Sequence, residues 1–132
     1  MKLQQINPQT LDEIDLSDIK DYPPIDSGIE KLVKALRGIG LLTVASCEGH
    51  LTQDKHPYPW VNLSLHPEIK KSMLEIIQLY NSQSEISWTI DHCAIKPLES
   101  AYNESELKKL QQNSESLAIF LFNNYVKFFS AY

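Results

Sequence analysis

The C-terminal stretch from Leu117 to Tyr132 constrains this chain more than any other feature. Read as a helix, its Leu, Ile, Phe, Tyr and Val residues take up most of the helix circumference, which demands burial on more than one side. In a chain of 132 residues that leaves two arrangements: a central core helix, or a helix shared with a second subunit, a homodimer through residues 114–132. A composition of 42% hydrophobic and 22% charged residues is enough for one ordinary core.

Upstream, short periodic segments alternate in type. Ile29, Leu32, Val33 and Leu36 recur at helical spacing, behind a Ser27-Gly28-Ile29-Glu30 capping box and ahead of Gly38 and Gly40. Leu41 to Ala45 reads as a buried strand ending at Ser46-Cys47. Trp60 to Leu65 alternates, with Val61, Leu63 and Leu65 toward the core and Trp60, Asn62 and Ser64 on the other face. His66-Pro67 opens a second helix whose inward stripe is Ile69, Met73, Ile76, Ile77 and Tyr80. Ile86, Trp88 and Ile90 mark a third strand that runs on into His92-Cys93-Ala94-Ile95, and a further short strand falls between Ile95 and Ala101. Asn103, with Glu106 three residues on, caps the last helix. The order predicts a single α+β domain over residues 27–132, a two-layer sandwich of a small, largely antiparallel sheet and three main helices; a small mixed α/β sheet is the alternative.

Residues 1–26 read as an acidic lead-in segment. The first 30 residues hold seven acids and two bases and the remainder ten of each, so the net charge of −5 is an N-terminal property. Arg37 is the single arginine and no basic stripe occurs, which disfavours nucleic acid as a partner. No apolar run approaches a membrane span and the start lacks a signal-peptide core, so the expected location is cytoplasmic. Two cysteines cannot make a disulfide scaffold.

Chemistry is concentrated in Ser46-Cys47-Glu48-Gly49-His50, at the end of the first strand, where functional loops commonly sit. A second cluster, Asp91-His92-Cys93, ends the third strand. If those strand ends are neighbours, both clusters face one cleft. Three readings follow. Cys47-x-x-His50 has the spacing of half a metal site, with His92, Cys93 or His56 completing a zinc-type set. Alternatively, Cys47 is a nucleophile with His50 or His92 as base and Glu48 or Asp91 orienting the imidazole. In the third, the turn is part of a small-molecule cleft in which Ser46, Gly49, Trp60, Asn62 and Asp91 contact ligand. Against all three stands a structural role: Cys47 as a small buried side chain and His50 as a surface residue.

The segment from Ile39 to Trp60, with Thr43-Val44-Ala45-Ser46-Cys47-Glu48-Gly49-His50 and then Pro57-Tyr58-Pro59-Trp60-Val61, resembles a signature of small bacterial proteins of uncharacterised function, over about a sixth of the chain. A fainter similarity is to the tRNA wybutosine-synthesizing methyltransferase family, which carries Ser-Cys-Ser-Gly-Arg after a comparable helix and strand. Ser46, Cys47 and Gly49 match that segment, and Glu48 and His50 stand in place of its Ser and Arg. The resemblance implies a compact α/β architecture.

Overall fold

A computed structural model describes Leu11, residues 25–52 and residues 56–129, with side chains through Asn124. In chain order the elements are α1 (Glu30–Gly38), β1 (Leu42–Cys47), β2 (Trp60–Ser64), α2 (Pro67–Asn81), β3 (Trp88–Asp91), β4 (Ala94–Pro97) and α3 (Glu104–Phe129). The four strands form one antiparallel sheet in the order β1-β2-β4-β3. This is the expected α+β architecture.

The alternation in β2 explains the layering. Val61 and Leu63 are buried, Trp60 and Asn62 half-buried, and Ser64 exposed. Trp88, Ile90 and Ile95 extend the same buried face across β3 and β4, and the helices cover it. The last helix is the centrepiece. It packs on α1 and α2, and Leu117, Ala118, Leu121 and Phe122 are sealed within this chain's own core. The homodimer expectation for residues 114–132 falls partly on 125–132, whose side chains lie outside the described residues. The same holds for the acidic segment 1–26, of which Leu11, Ile25 and Asp26 are described; Leu11 is in the core at 1% exposure. Among the described residues no helix is long and apolar enough to cross a membrane.

Polar side chains fasten the layers. Asn113 of α3 accepts hydrogen bonds through Oδ1 from Trp88 Nε1 (2.8 Å) and Tyr80 Oη (2.9 Å), joining α3 to β3 and α2. Arg37 donates from Nε to Thr43 Oγ1 (2.7 Å) and from Nη2 to the Thr43 carbonyl (3.1 Å), which satisfies a buried threonine and ties α1 to β1. The single arginine thus has a structural task. Asn103 caps α3 as expected, its Oδ1 accepting the Glu106 amide at 2.8 Å while its Nδ2 donates to Glu106 Oε1 at 2.9 Å.

Three local expectations are corrected. α1 starts at Glu30, and its N-cap, Ile29, makes no side-chain cap; Ser27 is exposed. β1 is not a buried strand but an edge strand, with Leu42 and Val44 more than half exposed. The third strand does not run through His92 and Cys93, because those residues form the tight turn between β3 and β4, with His92 in the left-handed region at φ 55°. Histidine is among the non-glycine types enriched there, but no Gly or Asn marks the turn in the sequence.

Candidate functional site

The site begins where β1 stops. Beyond Cys47 the backbone reverses at Gly49, whose φ of +93° suits glycine, and a Cβ there would lie 2.8 Å from Leu107 Cδ1 and from the Tyr58 carbonyl carbon. Glu48 then engages its surroundings through three groups. Its Oε1 accepts the Gly28 amide (3.0 Å), its own amide donates to Asp26 Oδ2 (3.2 Å), and its carbonyl accepts Gln111 Nε2 (3.1 Å). Gly28 leaves room for the Glu48 and Gln111 side chains, since a Cβ there would meet both at 2.9 Å. Glu48 is therefore a clasp between the entry to α1, the end of β1 and α3. With its carboxylate on a backbone amide, it does not orient His50 as the thiol reading expected.

That clasp brings an unanticipated residue into the turn. Asp26 Oδ2 lies 3.9 Å from His50 Nε2, and one ligand atom each of Asp26, Cys47 and His50 lies within 4.8 Å of the other two. All three residues are half-buried. The Gly49 amide donates to Cys47 Sγ at 3.4 Å, the kind of outer hydrogen bond that surrounds metal-bound sulfur. The His50 amide donates to the His56 carbonyl (2.9 Å), which fixes the backbone at the imidazole. Two ligands on a tetrahedral zinc stand about 3.3–3.8 Å apart. Beside His50 opens a cleft of about 480 Å³, walled by Glu48, Leu107, Lys108 and Gln111.

No known protein family, characterised protein or solved structure matches the chain.

The two clusters singled out in the sequence do not meet. With the strand order β1-β2-β4-β3 and every neighbour antiparallel, β1 and β3 are opposite edges pointing in opposite directions, so their C-terminal ends lie at opposite ends of the sheet. His92 and Cys93 are thereby separated from Cys47 and His50, and neither can complete a metal set or supply a base there. Both are exposed on their hairpin, and the Cys93 carbonyl accepts the Leu63 amide. The turn also brings Asp91 and His92 together, with Asp91 Oδ1 and His92 Nε2 3.8 Å apart. His56 stays away from the metal trio as well, its Nδ1 paired with Tyr58 Oη at 3.3 Å and its ring edge-on to Trp60.

Trp60, Asn62 and Asp91 gather elsewhere, on the face of the sheet turned away from α1, α2 and α3, around a hollow of about 160 Å³. Ser46 joins neither place; its Oγ is closed to solvent without a hydrogen-bond partner among the described residues, as is Trp60 Nε1.

Sequence reasoning missed Asp26 because it lies 21 positions before Cys47 and was placed at the edge of the lead-in segment. The available signal was an acid directly preceding Ser27-Gly28, a place where a carboxylate can meet free backbone amides.

Proposed function

We propose that this protein binds a divalent metal ion of the zinc class through Asp26, Cys47 and His50. The observation that carries the reading is the convergence of a thiol, an imidazole nitrogen and a carboxylate oxygen within 4.8 Å. Thiolate, imidazole and carboxylate together suit zinc, and three protein ligands with one open position are the pattern of sites where the metal activates water or holds a ligand.

A thiol nucleophile is the competing reading, and the same geometry favours the metal. A relay from carboxylate through imidazole to thiol uses two different ring nitrogens. In this site one His50 nitrogen lies within 4.8 Å of both the thiol and the carboxylate, as in a shared coordination sphere.

The test is cobalt substitution. Protein stripped with chelator and titrated with Co²⁺ is expected to develop a sulfur-to-cobalt charge-transfer band that saturates at one ion per chain. The band should disappear in Cys47→Ser and persist in Cys93→Ser and His92→Ala. A missing band, or one that depends on Cys93, refutes the assignment.

A further inference from the structure

The face of the sheet turned away from α1, α2 and α3 holds a second constellation, independent of the metal reading. In the strand register Asn62 stands opposite Ala94, and Ala94 opposite Asp91. Directly paired residues share a face, so the small Ala94 side chain forms the floor of a depression with an amide on one side and a carboxylate on the other. Aromatic rings of His56, Tyr58 and Trp60 and the stem of Lys96 raise the remaining walls. His56 and Tyr58 have ring centroids 5.3 Å apart, and His56 and Trp60 meet edge-on at 6.3 Å.

Two opposite charges line this hollow. Lys96 Nζ lies 3.6 Å from Asp91 Oδ2 and 5.2 Å from the centre of the Tyr58 ring. The Asp91 side chain is 55% exposed and that of Lys96 28%. An ion pair at such exposure contributes little, so a ligand can open it at small cost. A ligand with an ammonium alone would leave Lys96 facing the newcomer's positive charge, and one with a carboxylate alone would set its charge against Asp91. A ligand carrying both, separated by one carbon, replaces each partner: its ammonium meets Asp91, Asn62 Oδ1 and the aromatic faces, and its carboxylate meets Lys96. The volume accommodates a small side chain against the rings and is well below the 300 Å³ or so of a drug-sized site.

We propose that this hollow binds a free α-amino acid as its zwitterion, held between Asp91 and Lys96 over Ala94.

The probe is L-valine, titrated into ¹⁵N-labelled full-length protein with chelator present, so that loss of the metal site does not affect the outcome. The expected result is saturable shifts of the Asn62, Ala94 and Lys96 amides, with affinity at least tenfold weaker for N-acetylvaline, which lacks the ammonium, and for valinamide, which lacks the carboxylate. Ala94→Leu, which fills the floor, should abolish the shifts. Lys96→Met, on the same outer face, should weaken valine at least tenfold and tighten valinamide, which no longer meets a like charge. Absence of saturable shifts with valine overturns the proposal. So does valinamide binding as tightly as valine, which would make the hollow a simple ammonium site.

Discussion

Gly40 and Gly49 offer a controlled experiment on why the candidate site folds as it does. Both have φ of +93°, so replacement by alanine imposes the same backbone penalty on each, about 1–2 kcal/mol for an L-residue in the left-handed region. They differ in surroundings. A Cβ on Gly40 meets nothing within 4 Å among the described residues, whereas one on Gly49 lies 2.8 Å from Leu107 Cδ1 and from the Tyr58 carbonyl carbon, and 3.0 Å from the Tyr58 carbonyl oxygen. Leu107 can rotate; the Tyr58 backbone is held, because the adjacent Pro57 carbonyl accepts the Ala101 amide at 2.8 Å. Overpacking of this kind costs about 1–3 kcal/mol. Gly40→Ala should therefore destabilise by about 1–2 kcal/mol and Gly49→Ala by about 2–5 kcal/mol. Urea unfolding followed by far-UV circular dichroism reads the difference as a shift in midpoint at unchanged slope. Equal losses in the two variants would show that contact with Tyr58 and Leu107 contributes nothing, and that Gly49 serves only its backbone angle.

Three further outcomes are expected. Asn113→Leu removes the acceptor of Trp88 Nε1 and Tyr80 Oη, both on side chains at most 5% exposed, and should cost about 2–4 kcal/mol in the same urea assay. Glu48→Ala leaves the Gly28 amide without its carboxylate and should cost about 1–3 kcal/mol, while Glu48→Gln, which keeps an acceptor oxygen, should retain most of the stability; equal losses would refute the clasp. Zinc at a hundred times its dissociation constant should stabilise the wild-type chain by about 2.7 kcal/mol and leave His50→Ala unchanged, measured by thermal unfolding with and without metal.

The elements were legible because they rest on local patterning. Period-two alternation placed β2 with Val61 and Leu63 inward, and Asn103 with Glu106 announced the start of α3 through a cap that the structure contains. The apolar circumference of the last helix called for burial on more than one side and left a core helix or one shared with a second subunit open; the chain's own core covers Leu117 and Leu121 at 0% exposure. Relations between distant segments were not legible. The placing of β4 between β2 and β3 is a choice among topologies that the periodicity of each strand does not encode, and that choice separates His92 and Cys93 from Cys47. The entry to α1 illustrates the same limit: a local match to a capping box pointed to Ser27, but the Gly28 amide takes the carboxylate of Glu48, twenty residues away.

The pairing of β1 with β2 slips between Thr43 and Ala45, so Val44 is an extra residue in the ladder. Up to that point Leu42 and Thr43 oppose Ser64 and Leu63; past it Ala45, Ser46 and Cys47 oppose Asn62, Val61 and Trp60. Strand side chains change face at every step, and one inserted residue reverses the parity of all that follow. Val44 therefore acts as a phase shifter. Were Val44 paired regularly with Asn62, Ala45, Ser46 and Cys47 would each stand one place further along β2 and face the opposite side of the sheet, so the slip at a single exposed valine with no chemistry of its own sets which way the thiol emerges.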